Sequence, residues 1–134
     1  LLQQLSAADG DSIILTGDVH SSWAMDVLDE AGEHSHAVEL VTPGISSPLL
    51  NREEAEARDA DVMEQPHVRY AQMWKRGYMI VDVDRERVQA AWYHYESVEN
   101  PEYVEPVFSA AAAAVNGERR VSRVSMDSFI ASHR

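Results

Sequence analysis

The chain contains no cysteine. Disulfides, thiolate catalysis and thiolate-ligated zinc are therefore excluded within it, although the compartment stays open. Basic residues are scarce: 11 Lys and Arg stand against 23 Asp and Glu, a net charge of -12. That balance disfavours non-specific binding to nucleic acid or to an anionic membrane. It also sets a requirement, because an acidic chain that handles any anionic ligand needs a metal or a local basic cluster to offset repulsion. No apolar run approaches the roughly 18 residues of a membrane span. A signal-peptide pattern and an internal repeat are both lacking.

What is present suits one domain with a modest core: 134 residues, 45% of them hydrophobic. The first residue is Leu1 rather than Met, which reads as a processed chain or a fragment. Residues 1–8 read as the last turns of a helix. Ser12 to Thr16 is a consecutive apolar, partly β-branched run closed by Gly17, the pattern of a buried strand. The apolar stretch from Trp23 to Asp29 and the partly alternating His36 to Thr42 flank a turn at Gly32, and together predict an antiparallel hairpin. Pro43-Gly44 breaks the second strand. Asn51 with Glu54 is a capping-box pair, opening a polar helix over 52–64 that Pro66 stops.

A second hairpin is written into Tyr78 to Tyr95, two strands around the polar turn Asp84 to Arg87. On its second strand Val88, Ala90, Trp92 and His94 share one face. Ala110 to Ala114 reads as either helix or bulged strand, and Arg119 to Ser125 as a last edge strand.

Asp18 and His20 follow the first buried strand, in a loop opened by Gly17. Short loops at strand ends are where rigid scaffolds place reactive groups. Carboxylate and imidazole one residue apart point the same way if the backbone is extended, and both ligate zinc, iron or manganese. A turn aspartate beside a surface histidine is the competing reading, since Asp-x-His is a common tripeptide. Ser21 and Ser22 lack a nucleophile-elbow motif. Trp23 reads as a core residue, with a pocket wall as its alternative. His34 and His36, beside Glu33, read as a solvated hairpin tip; His67, His94 and His133 stand alone. Arg69, Lys75 and Arg76, interleaved with Tyr70 and Trp74, read as basic heads around aromatic contacts. A single-strand nucleic-acid patch is the rival, disfavoured by the overall acidity.

These residues resemble a known family. Ile14-Leu15-Thr16-Gly17-Asp18-Val19-His20-Ser21-Ser22-Trp23 looks like the carboxy-terminal metal motif of the alkaline phosphatase D (PhoD-like) family. Val38 to Pro48, Pro66 to Tyr70, Arg76-Gly77-Tyr78 and Glu86 to Tyr93 resemble later family segments, in the same order. The similarity spans roughly residues 1–97.

The resemblance implies an α/β (α+β-like) fold, the carboxy-terminal part of a metallophosphoesterase αββα sandwich, mostly antiparallel sheet with short helices. On this basis residues 1–134 correspond to the carboxy-terminal half of the domain. The implied activity is metal-dependent hydrolysis of phosphate mono- or diesters. Iron and calcium are the implied metals, with zinc or manganese as alternatives, and a bound cation would offset charge and activate water. Asp18 and His20 are the implied metal-site and catalytic residues. Family members are often exported, which implies a periplasmic or secreted location, with the cytoplasm as the alternative. The family's other metal ligands lie upstream, in motifs this chain does not contain. The expectation is therefore a partial site, inactive alone, whose missing amino-terminal part completes it. A non-catalytic binding or assembly module of the same fold is the alternative, and an uncovered sheet surface would then favour self-association.

Overall fold

The computed structural model describes residues 2–48, 50–96 and 105–124. The apolar run after Ser12 forms strand β1 (Ile13–Thr16), but not the buried strand expected: it lies at a sheet edge, half-buried, with Leu15 exposed. The first expected hairpin is present as β2 (Ser22–Leu28) and β3 (Ser35–Val41), antiparallel, with Trp23 opposite Val41 and Met25 opposite Glu39. Asp29 closes the turn: its N–H donates to the His34 carbonyl at 2.8 Å, and its carboxylate accepts the Glu33 N–H at 2.9 Å. That Glu33 N–H holds the Asp29 carboxyl below its ordinary range. β1 lies parallel along the other edge of β3, and β4 (Val68–Gln72) pairs antiparallel with β2, giving the order β1-β3-β2-β4.

Helix α1 (Leu2–Ala7) contacts β3, and α2 (Arg52–Met63) contacts β4. The helix start was legible. The Asn51 side chain accepts the Glu54 N–H at 2.9 Å, and the Glu54 carboxylate accepts the Asn51 N–H at 3.4 Å. Two otherwise orphaned helix-end donors are thereby satisfied.

The second sheet is antiparallel throughout, in the order β5-β6-β7-β8. Its strands are β5 (Gly77–Val83), β6 (Arg87–His94), β7 (Val107–Val115) and β8 (Val121–Val124). The β5–β6 turn is made by Asp84, whose carboxylate accepts the Glu86 and Arg87 N–H groups at 2.7 and 2.9 Å. Those two donors lower the Asp84 pKa. The alanine run is strand, not helix, with a register irregularity between Trp92 and Tyr93 of its partner. Small side chains explain this: Ala110 sits opposite Trp92, and Ala112 is fully buried beside Ala90, where larger groups would clash with the indole. The last edge strand spans Val121–Val124; Ser125 and His133 lie outside the described residues.

The two sheets share one core. Ala24, Val38, Leu40 and Tyr70 of the first meet Ala90, Trp92, Ala112 and Val121 of the second. Trp92 is the centre of it: its ring lies 5.0 Å from that of Tyr70, and its indole N–H donates across the interface to the Val41 carbonyl at 2.9 Å. The shared face read for β6 is therefore correct, with Ala90 and Trp92 in the core and Val88 packed against it. Asp26 is a second tie. Buried on β2, it accepts Arg69 Nε and Nη2 of β4 at 3.0 and 2.7 Å, and the Val121 N–H of β8 at 2.7 Å. The result is an α/β-class fold, mostly antiparallel sheet with two short helices.

Candidate active-site edge

β1 runs parallel to β3, and β2 antiparallel to it, so the chain must reverse between β1 and β2 while crossing the end of β3. Residues 17–21 make that reversal. The Val19 N–H donates to the Gly17 carbonyl at 2.9 Å, and Asp18 has φ +70°. This is the γ-turn of positive φ, rare and strained for a residue with a side chain. His20 is also left-handed, with φ +59°. The extended backbone that would point Asp18 and His20 the same way is therefore not adopted: the sharp reversal forbids it. Asp18 is exposed on the loop and His20 is half-buried.

His20 is aimed by a neighbour 28 residues on: its Nδ1 lies 3.0 Å from the Pro48 carbonyl oxygen. A carbonyl only accepts, so Nδ1 carries a proton, and in the neutral ring the lone pair is on Nε2. The loop bearing Pro48 is itself held in place. Arg76 Nε donates to the Ser47 carbonyl at 3.0 Å, and the Gly77 N–H to the Gly44 carbonyl at 3.2 Å. Gly44 allows the close approach: a Cβ there would meet Ser47 Cβ at 3.1 Å and His20 Cβ at 3.7 Å. The Ser-rich loop was noticed in the sequence, but its role as the histidine's anchor is non-local and was missed.

Beside His20 opens a depression of about 540 Å³, walled partly by Trp23. Trp23 is not a core residue; it is half-buried, its indole N–H donating to Ser21 Oγ at 2.7 Å. The core tryptophan is Trp92. Ser22 is wholly buried and shares a 2.9 Å hydrogen bond with Nε2 of His94, itself 1% exposed. Burial pushes the His94 imidazole down to about 4, and the nearby Lys75 charge adds to the effect. With no access and no partner at His94 Nδ1, this pair is not an activated nucleophile.

The remaining candidates are dispersed. His34 Nδ1 pairs with the Asp29 carboxylate at 3.1 Å on an exposed hairpin tip. The basic residues are each engaged: Arg69 with Asp26, Lys75 with Glu96, Arg76 with the Ser47 carbonyl. Trp74 lies between Arg52 and Lys75, at 5.0 and 5.1 Å from its ring. Lys75 over Trp74 is a contact the sequence suggested, whereas Arg52 was not part of that cluster.

Among the described residues no three His, Asp or Glu side chains converge into a metal-sized group. Asp18 and His20 supply two donors of suitable chemistry, and the free Nε2 fits a ligand role. They do not by themselves complete the metal site that the resemblance implies.

Residues 1–92 match the model of the PhoD-like phosphatases, about two-thirds of the chain. The protein belongs to the PhoD-like phosphatase family, and phosphate-ester hydrolysis is the chemistry this membership implies. No curated protein and no solved structure shows a significant match to the chain.

Proposed function

We propose that this chain supplies one edge of the active site of a metal-dependent hydrolase of phosphate mono- or diesters, with Asp18 and His20 as the residues at that edge. The anchored imidazole of His20, beside an open depression, carries this reading. A water oxygen attacks phosphorus, the P–O bond to the alcohol breaks, and the alcohol leaves with a proton. His20 suits this chemistry in either protonation state. Neutral, its Nε2 is a ligand or base; protonated, it is a donor toward the leaving oxygen. The remaining metal donors, for which iron with calcium, zinc and manganese are the candidates, come from groups outside those described. Family habit supports a periplasmic or secreted setting.

The test uses the complete polypeptide that carries this chain, a chromogenic phosphodiester and elemental analysis. Asp18→Asn and His20→Ala are expected to lower kcat/KM by roughly 100-fold or more and to reduce bound metal. If both rate and metal content are unchanged, Asp18 and His20 are not site residues, and a non-catalytic module of the same fold becomes the better reading.

A further inference from the structure

The depression beside His20 is more than an opening to it. Trp23, Leu50, Val62 and Met73 give it apolar walls, and its volume of about 540 Å³ falls within the range of small-molecule sites. The polar edge of Trp23 is already satisfied by Ser21, so the indole offers the depression its apolar ring. One cation faces the same space: Arg58, on α2, one turn before Val62. Arg52, the other basic residue of α2, is paired with Glu56. Arg58 has no hydrogen-bond or ion-pair partner among the described residues. It stands on a helix whose other charges, Glu53, Glu54, Glu56, Asp59 and Asp61, would repel an anion. An unpaired guanidinium beside apolar walls and a free imidazole nitrogen is complementary to a ligand with an anionic head and an apolar body.

We infer that this depression is the alcohol-side subsite, seating an apolar or aryl-bearing alcohol esterified to the phosphate, with Arg58 meeting the phosphate's charge. The inference rests on the phosphoesterase reading above and adds a substrate class to it. A small hydrophilic alcohol would leave the half-buried indole and Leu50 in contact with water and gain nothing from them.

Benzyl phosphate and methyl phosphate make the test, since both carry an alkyl leaving oxygen and differ mainly in apolar bulk. In the chain itself, benzyl phosphate is expected to quench tryptophan fluorescence in a saturable way. Methyl phosphate is expected not to, and Trp23→Phe should remove most of the quench, while Arg58→Gln should weaken binding by roughly tenfold. In the complete polypeptide, benzyl phosphate is expected to be favoured by roughly tenfold or more in kcat/KM, falling to near parity in Trp23→Ala. Equal turnover of the two esters with no Trp23-dependent quench would overturn the subsite while leaving the phosphoesterase reading intact. Quenching by benzyl phosphate without hydrolysis of any ester would support the subsite and count against the phosphoesterase reading instead. If another segment of the parent protein fills the depression, the complete polypeptide will show no quench and no preference, which also overturns the inference.

Discussion

The Nδ1–H of His20 donates to the carbonyl of Pro48 across 3.0 Å, and this bond decides which ring nitrogen faces the site. Its geometry depends on the tight loop at Gly44. Gly44→Ala would place a methyl group 3.1 Å from Ser47 Cβ and 3.7 Å from His20 Cβ. The Ser47 side chain must give by a few tenths of an ångström, which strains the loop that presents the Pro48 carbonyl to His20. The expected outcome is a loss of roughly 10- to 100-fold in kcat/KM, with a stability cost of only about 1 kcal/mol. Paired turnover and urea-unfolding measurements check this; full activity in the variant would show that the loop does not position His20.

Asp18 and His20 occupy left-handed backbone, with φ +70° and +59°. Non-glycine residues are held there at a cost of about 1 kcal/mol or more each. Asp18→Gly is therefore expected to raise stability by up to about 1 kcal/mol, offset in part by a more flexible unfolded chain, while activity falls. Thermal unfolding of the variant gives the answer. A clear loss of stability would mean that Asp18 is kept for structure rather than for chemistry.

The Asp26 carboxylate lies on the seam between the sheets, its side chain fully buried, while Arg69 is 37% exposed. Arg69→Ala would leave a buried charge with the Val121 N–H as its remaining recorded partner. The expected cost is about 3 kcal/mol. Asp26→Ala with Arg69→Ala should cost less than the sum of the two single changes, because the uncompensated charge is gone. Urea midpoints of the two single variants and the double variant test this. Strict additivity would mean that the pair does not act as a unit.

These ties show why part of the molecule was legible in the sequence and part was not. The β5–β6 hairpin was readable because its turn is local: Asp84 binds the N–H groups two and three residues on. The α2 start was readable for the same reason, through Asn51 and Glu54. β7 was ambiguous because alanine has helical propensity, and strand follows from pairing with β6 and β8 on either side, contacts that are non-local. The Asp-x-His loop was visible as a motif, yet its left-handed backbone follows from β1 pairing parallel with β3, a contact no local pattern announces. Trp23 was misplaced because an indole suits a core and a pocket wall equally; Trp92, not Trp23, lies between the two sheets. The loop ending at Pro48 was visible as a segment, but its bond to His20 and the place of Arg58 on the same depression follow only from the folded chain.

The buried His94 gives the fold a pH signature of defined sign. Its folded pKa is lowered from 6.5 to about 4, chiefly by burial, with Lys75 lowering it further and Glu96 opposing. The unfolded chain binds a proton at this residue below about pH 6.5, and the folded chain refuses it until about pH 4. Stability from His94 is therefore fully present above that window and lost as pH falls through it. Between pH 7 and 5, where carboxylates stay mostly ionised, the expected loss is about 2 kcal/mol. His94→Gln removes the titrating group while keeping an amide within reach of Ser22, so its stability should change less over the same interval. Urea unfolding of both proteins at pH 7, 6 and 5 measures the difference. Parallel curves would mean that His94 is protonated as readily in the folded chain as in the unfolded one, and that the seam between Ser22 and His94 is open to water.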